Sequence, residues 1–264
     1  MNKAADLTGK VSLVIGGGGH IGKVICETLA ELGSKVAVHD LSKEKTEKVR
    51  KAIEKKYQSE AIAVEADLLD EKETRSVIPY VANKFKRLDI LVHCAAFVGT
   101  TSFPGWAVPF QEQTVEAFEK CLKVNLTSAF ILCQEAQKHL EKRKSGSIIL
   151  ISSIYGVIAP DFALYEGTKM ANPAGYGASK GGLIQLTRYL ATLFAPEIRV
   201  NSISLGGVFR NQDPKFVEKY KKKTPLGRMA KEEDIKGTIA YLASDMSKYL
   251  TGQNIVLDGG FTIW

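Results

Sequence analysis

The chain has 264 residues, with 36 lysines and arginines against 29 aspartates and glutamates, which gives a formal net charge of +7. That length suits one large α/β domain without disulfides, and no apolar run is long enough to span a bilayer, so a cytoplasmic protein with no membrane partner is expected. Nucleic-acid binding is not expected either, because the lysines over 43–56 alternate with glutamates, as on a solvated helix face.

Seven short apolar runs are predicted as strands, and they alternate with predicted helices along the whole chain. The strands fall at 11–15, 35–39, 61–65, 88–93, 146–151, 198–203 and 253–257, and the helices at 23–32, 43–57, 71–86, 114–142, 177–195 and 232–244. This alternation predicts a single α/β domain over 1–264, a Rossmann-type doubly wound parallel sheet with helices on both faces. Ligands of such a sheet bind at the carboxyl ends of the strands.

The first strand leads directly into a turn of glycines, Gly16-Gly-Gly-Gly19-His20-Ile21-Gly22. Glycines there let the backbone approach a pyrophosphate, which sits on the N-terminus of the following helix. The second strand ends in Asp40, about 20 residues beyond the glycines, where a carboxylate contacts the cofactor ribose. Strand, turn, helix and acid together predict a dinucleotide site.

Tyr176 and Lys180 are four residues apart at the start of a predicted helix, so their side chains share one face. A lysine ammonium beside a phenol favours the phenolate and lowers the tyrosine pKa from about 10. The pair is therefore predicted to exchange a proton with a substrate hydroxyl or carbonyl near neutral pH.

Over essentially its whole length the chain resembles the short-chain dehydrogenase/reductase family. The resemblance rests on motifs in the family's order: the glycine turn, an acid at 67, His93-Cys-Ala-Ala96, Val124-Asn125-Leu, Ile151-Ser-Ser153, Tyr176-Gly-Ala-Ser-Lys180, the run 199–206, and Thr251-Gly-Gln with Asp258-Gly-Gly260. It implies hydride transfer with Tyr176 as acid/base, while Lys180 lowers the tyrosine pKa and holds the nicotinamide ribose. Ser153 would bind the substrate oxygen, and Asn125 would hold a relay water.

The resemblance also implies the cofactor contacts, which are Gly16, Gly18, Gly19, His20, Ile21, Gly22, Asp40, Leu41, Asp67, Leu68, Cys94, Ala95, Ala96, Tyr176, Lys180, Gly206 and Val208. NAD is predicted rather than NADP. The Asp40 carboxylate would accept hydrogen bonds from both ribose hydroxyls and repel a 2′-phosphate, and Gly19 supplies no basic side chain.

Several positions depart from the family pattern. His20 stands where a turn glycine is usual, Ile15 replaces threonine, His93-Cys-Ala-Ala replaces Asn-Asn-Ala-Gly, Leu205 replaces proline and Arg210 replaces a threonine. The His93 segment leaves open an epimerase or dehydratase with tightly held NAD, although the short length and Asp258-Gly-Gly260 count against it. A non-enzymatic dinucleotide sensor is also open, but it would not need the four catalytic residues together.

Three segments are expected to border the substrate, near 97–112, 159–175 and 207–225. Parts of the first two resemble a subgroup associated with bacterial surface carbohydrate and flagellin glycan biosynthesis. A polyhydroxylated, anionic small molecule is therefore the expected substrate, with Arg210 as its phosphate or carboxylate contact. The basic run from Lys219 to Lys223 is interpreted as a solvated loop, with a substrate-attracting lid as the alternative.

Tyr165-Glu-Gly-Thr-Lys169 repeats the Tyr-x-x-x-Lys pattern and lies nearer the usual family spacing from Ser153 than Tyr176 does. Pro173 disfavours helix just before it, so nothing should hold Tyr165 and Lys169 on one face. Tyr176 is therefore the predicted acid/base, and Tyr165 a substrate contact.

The remaining expectations concern side chains without a catalytic role. The four cysteines form no Cys-x-x-Cys pair, which indicates free thiols, and no pair of histidines suggests a metal site. Trp106 is expected to pack. The family resemblance implies a homotetramer, with Phe261-Thr-Ile-Trp264 near a subunit contact.

Overall fold

The computed structural model describes residues 3–98 and 101–264. Within these ranges seven strands form one sheet: β1 (Val11–Ile15), β2 (Lys35–Asp40), β3 (Ala61–Glu65), β4 (Ile90–His93), β5 (Gly146–Ser153), β6 (Ile198–Leu205) and β7 (Asn254–Leu257). Their order is β3-β2-β1-β4-β5-β6-β7, and every neighbouring pair is parallel. The predicted doubly wound sheet is confirmed. The order reverses between β1 and β4, which puts the ligand crevice beyond their carboxyl ends.

Helices cover both faces of this sheet, and each face has its own apolar core. They are α1 (His20–Glu31), α2 (Lys43–Tyr57), α3 (Glu71–Phe85), α4 (Val115–Leu122), α5 (Ser128–Glu141), α6 (Ala174–Phe194), α7 (Pro214–Lys223) and α8 (Lys236–Ala243). One core packs α3, α5 and α6 against the sheet, and the other packs α1, α2 and α8. In β1, Leu13 and Ile15 enter the first core and Val14 the second, which explains why apolar residues occupy both faces of the strand.

The predicted helix over 114–142 is interrupted by a π-helical turn, Lys123–Thr127, which separates α4 from α5. The turn carries Asn125, a predicted site residue. Wide turns of this kind are frequent at functional sites.

Helix α7 lies where a solvated loop was predicted, so that interpretation was wrong. Its start carries ordinary helix signals: the Asp213 carboxylate caps the Lys215 amide at 2.8 Å, and Pro214 opens the first turn. Phe216, Val217 and Tyr220 form its buried face. The run of lysines in the sequence made this buried face hard to recognise as part of a helix.

His39 lies near the end of β2 and His93 at the end of β4, and both are buried. The register aligns His39 with Ile15 and Ile15 with His93, so the two histidines flank one β1 residue. His93 Nε2 donates to Ser128 Oγ at 2.8 Å, because that hydroxyl already donates to the Val124 carbonyl. Burial lowers the pKa of His39 to about 4 and that of His93 to about 3. Both side chains are therefore neutral at pH 7.

Candidate active site

The glycine turn after β1 is built so that no side chain fits at its two ends. Gly16 has φ +77°, and a Cβ there would lie 2.6 Å from the Ala95 nitrogen. A Cβ on Gly22 would lie 2.0 Å from the Gly16 carbonyl oxygen. The N-cap of α1 is Gly19, which offers no capping side chain, so the first amides of the helix lack a side-chain partner there. This cradle fits a dinucleotide pyrophosphate.

Asp40 lies against the same turn. A Cβ on Gly18 would stand 2.9 Å from Asp40 Oδ2, while Oδ1 accepts a hydrogen bond from the Ser42 amide at 3.2 Å. The Lys45 Cβ is equally close to that point, at 2.9 Å, although its side chain is otherwise exposed. Lys45 could not be predicted from the sequence, because its contact depends on how α2 returns past the turn.

The other predicted cofactor residues are at the carboxyl edge of the sheet, although the Leu68 side chain is buried in the core. The Cys94 amide donates to the Ile15 carbonyl at 2.9 Å, and the Gly206 amide donates to the Leu257 carbonyl at 2.9 Å. The loops after β4 and β6 are therefore tied to neighbouring strands. Leu41 is exposed, whereas the Leu68 side chain is buried in the core beside α3. Leu68 could therefore meet a cofactor only through its backbone.

Ser153, Tyr176 and Lys180 come together where β5 ends and α6 begins. The Ser153 hydroxyl lies near enough to the Tyr176 phenol to act on its pKa, which it lowers. Lys180 Nζ lies 5.7 Å from the centroid of the Tyr176 ring and donates to the Ile151 carbonyl at 2.8 Å. A Cβ on Gly156 would lie 2.6 Å from the Lys180 carbonyl carbon, so this glycine lets the turn after β5 press directly on α6.

The expected lowering of the Tyr176 pKa is not found. Burial raises its pKa to about 12, and the nearby Ser153 hydroxyl acts in the opposite direction without cancelling this effect. Burial also lowers the pKa of Lys180 to about 8. Removing a phenolate from water is therefore the dominant effect on Tyr176.

The Asn125 side chain is hydrogen-bonded to protein groups on two neighbouring segments. Its Oδ1 accepts from the Phe97 amide at 2.6 Å, and its Nδ2 donates to Ser179 Oγ at 2.9 Å and to the Phe97 carbonyl at 3.3 Å. Ser179 in turn donates to the Tyr176 carbonyl at 2.7 Å. Asn125 therefore ties the loop after β4 to the helix that carries Tyr176, which makes it a positioning residue.

A cavity of about 950 Å³ lies between residues 107–113 and 155–178, which overlap the predicted substrate segments near 97–112 and 159–175. Tyr165 lies on its wall, and its hydroxyl is 2.9 Å from that of Tyr155. Tyr165 follows a short 3-10 turn, Phe162–Leu164, and shares no helix with Lys169. The side chains of this second Tyr-x-x-x-Lys pattern therefore do not lie together on one face of a helix.

Trp106, as expected, packs: it is 1% exposed, and its indole donates to the Val98 carbonyl at 2.8 Å. The four cysteines are free thiols.

The cations expected to attract an anionic substrate already have partners. Arg210 Nε lies 3.3 Å from Glu232 Oε1. Lys219 donates to the Ala163 and Glu166 carbonyls at 2.7 and 3.0 Å, and Lys223 pairs with Asp161. These lysines of α7 hold the 159–174 segment in place, a role that only the folded arrangement reveals.

Within residues 3–98 and 101–264, no group of three histidine, cysteine or acidic side chains could hold a metal ion. No helix of that same part of the chain is long and apolar enough to cross a membrane.

Comparison with known proteins agrees with this geometry. A family model described as Enoyl-(Acyl carrier protein) reductase matches residues 18–262. The chain belongs to the short-chain dehydrogenase/reductase family.

Relatives match over nearly full length. "Post-translational flagellin modification protein A" of Campylobacter coli is 32% identical over 257 residues, covering 97% of this chain and 99% of that protein. "3-oxoacyl-[acyl-carrier-protein] reductase FabG" of Rickettsia conorii is 36% identical over 262 residues, covering 97% and 98%. The crystal structure of a short chain dehydrogenase from Leptospira borgpetersenii with bound NAD+ is 34% identical, with a TM-score of 0.85 over 99% of this chain and 96% of that one. The fold and the oxidoreductase family are thus shared.

Proposed function

We propose that this oxidoreductase uses NAD(H) to interconvert a secondary alcohol and a carbonyl compound, with Ser153, Tyr176 and Lys180 at the reacting centre. The observation that carries the proposal is the convergence of these three side chains at the carboxyl edge of the sheet, the edge that also carries the glycine turn. When bound, the nicotinamide accepts or supplies the hydride.

Each residue has a separate task in the proposed reaction. The Ser153 hydroxyl holds the substrate oxygen by a hydrogen bond, and the Tyr176 hydroxyl gives that oxygen a proton during reduction and takes it back during oxidation. Lys180, whose ammonium lies 5.7 Å from the Tyr176 ring centroid, binds the nicotinamide ribose and favours the phenolate. Asn125 keeps the helix and the loop after β4 in register.

NAD is proposed as the cofactor because Asp40 faces the glycine turn with one carboxylate oxygen beside Gly18. A 2′-phosphate there would meet a negative charge, and the carboxylate would lose its ribose partners.

The proposed substrate is polar or sugar-like. The similarity to a flagellin modification protein supports this class. The lysine run and Arg210 give little support for an anionic group, since their partners are within the protein.

We also propose a cytoplasmic homotetramer whose subunit contacts cover the apolar C-terminal residues. Ile263 and Trp264 are 78% and 80% exposed, which is unusual for large apolar side chains that face water. Light scattering after size exclusion should give four times the 28.9 kDa of one chain. A monomeric mass would contradict the proposal.

The two tyrosines provide the test of the active-site assignment. Tyr176→Phe should lower kcat by about 10²–10⁴-fold, because the proton donor is lost, while the Kd for NAD changes little. Tyr165→Phe should retain turnover, with its loss mainly in KM. The opposite pattern would overturn the assignment. Tightly bound cofactor that is retained during turnover without net redox change would instead favour an epimerase.

A further inference from the structure

The 950 Å³ cavity between segments 107–113 and 155–178 is larger than a reacting carbonyl and its neighbours need. We propose that it receives a bulky, apolar, non-reacting arm of the substrate, and that the hydroxyl pair of Tyr155 and Tyr165 donates the hydrogen bond that orients this arm. The inference rests on the proposed function, since it adds an apolar arm to the polar part of the substrate, which carries the reacting alcohol or carbonyl.

The lining decides the chemistry of the occupant. Val108, Pro109 and Phe110 form one wall, and Ile158, Phe162 and Met170 lie on the other. Phe110 and Phe162 are 72% and 64% exposed, so an occupant would remove a large apolar area from water. Lys169 is the one charged residue that lines the cavity within the described part of the chain, and no carboxylate does. A cationic arm is therefore disfavoured.

Hydrogen bonds join the two walls before any ligand arrives. Gln113 Oε1 accepts from the Ala174 amide at 3.0 Å, and Gln113 Nε2 donates to the Val108 carbonyl at 3.3 Å. The Thr168 hydroxyl donates to the Tyr165 carbonyl at 2.8 Å and accepts from the Met170 amide at 3.1 Å. These polar groups are used in building the cavity.

The tyrosine pair has a donor to spare. The hydrogen bond of 2.9 Å between the two hydroxyl groups uses only one of their two hydrogens. Asn172 Nδ2 donates to the Tyr165 hydroxyl oxygen at 3.3 Å. An amide nitrogen can only donate, so it consumes neither hydroxyl hydrogen. One O–H of the pair thus remains for an acceptor on a ligand, such as a carbonyl oxygen on the arm.

The cavity lies close to the reacting centre, although Ser153 and Tyr176 do not line it. Tyr165, on the cavity wall, is among the groups that raise the pKa of Tyr176, so the two phenols are near each other. Tyr155 follows Ser153 by two residues, and its amide donates to Ser153 Oγ at 3.2 Å. Gly177, next to Tyr176, also lines the cavity, and a Cβ there would lie 3.2 Å from the Tyr155 carbonyl oxygen. A substrate held by Ser153 and Tyr176 can therefore extend its arm into this space.

The test compares two probes with the same reacting ketone, methyl 3-oxobutanoate and benzyl 3-oxobutanoate, both reduced with NADH. The benzyl ester should have a kcat/KM higher by roughly tenfold, since its ring is buried. Ala171→Phe, which fills the cavity, should abolish this preference, and Ala159→Phe at an exposed lining position should reduce it if the first variant does not fold.

Tyr165→Phe should raise KM for both esters about three- to tenfold with little change in kcat, because the ester carbonyl loses its donor. Tyr249→Phe is the matched control, since that ring is fully exposed, and it should leave both constants unchanged.

The outcomes separate the two proposals. Turnover of both esters without a benzyl preference, or a preference that survives both filling substitutions, overturns the cavity assignment and leaves the proposed function standing. If neither ester is turned over, titration of the NADH-loaded enzyme with the benzyl ester decides. Binding that Ala171→Phe abolishes supports the cavity although the proposed reaction fails, and no binding overturns it.

Discussion

Asp40 Oδ2 and the Lys45 Cβ both lie 2.9 Å from the point that a Cβ on Gly18 would occupy, so both residues border the expected position of the cofactor ribose. The wild-type protein should bind NAD at least about tenfold more tightly than NADP, because a like-charge contact or a lost hydrogen bond costs about 1–3 kcal/mol. Asp40→Ala should narrow the gap by weakening NAD binding and strengthening NADP binding, because the carboxylate no longer repels a 2′-phosphate while Lys45 stays beside the turn. Fluorescence titration gives both dissociation constants.

The double variant with Asp40→Ala and Lys45→Ala is the control. It should lose the gain in NADP affinity while NAD stays weak. A wild-type protein that prefers NADPH would contradict the role given to Asp40.

At this scale the sequence predicted residues whose task depends on local backbone, such as Gly16, Gly22 and the Tyr176–Lys180 pair. It did not predict the partners of Asn125 or Arg210. Asn125 is satisfied by Phe97 and Ser179, and Arg210 by Glu232, and none of these contacts follows from a local pattern. The raised pKa of Tyr176 could not be predicted either, because its main cause is burial, which depends on the whole fold.

Among the elements, α7 and the segment 159–174 are joined by hydrogen bonds. Lys219 donates to two carbonyl oxygens of that segment, at Ala163 and Glu166. Lys219→Met keeps the aliphatic stem but removes these charged hydrogen bonds, so amide exchange over 161–167 should become about tenfold faster. Hydrogen exchange followed by mass spectrometry measures this directly.

Lys222→Met is the matched control on the same helix. Lys222 is exposed and pairs only with Glu218 one turn away, an arrangement worth a few tenths of a kcal/mol. Exchange over 161–167 should be unchanged in this variant. Equal acceleration in both variants would show that general helix destabilisation, not the bridge, is responsible.

The strands and most helices could be predicted because each carries its own period of apolar residues. Two features could not. The π-helical turn at Lys123–Thr127 has no distinct periodicity, and α7 combines only three apolar residues with a run of lysines that resembles a loop. Its buried face becomes meaningful only when Ile154, Leu164 and Phe261 are packed against it.

For the whole molecule, the buried histidines predict acid sensitivity. Their folded pKa values, about 4 for His39 and about 3 for His93, lie below the ordinary value of 6.5. The unfolded chain therefore binds more protons as the pH falls below about 6.5. The free energy of unfolding should decrease there by about 1.4 kcal/mol per pH unit for each histidine, until the folded pKa is reached.

His93→Asn introduces the residue that the family pattern has at this position and removes one of the two titrations. Urea unfolding at pH 7, 6 and 5 should show a shallower decline for the variant than for the wild-type protein. Parallel declines would mean that His93 is not the cause.

The cavity walls have a practical consequence for protein engineering. Segments 107–113 and 155–178 include no strand of the sheet, whereas Gly16 and Gly22 cannot accept even a methyl group. A mutant library that keeps the glycine turn fixed and places its diversity at exposed wall positions such as Ala107, Ala159 and Phe162 would sample new substrate preferences at little risk to folding. Selection on such a library would then report on substrate choice, largely free of variants lost to misfolding.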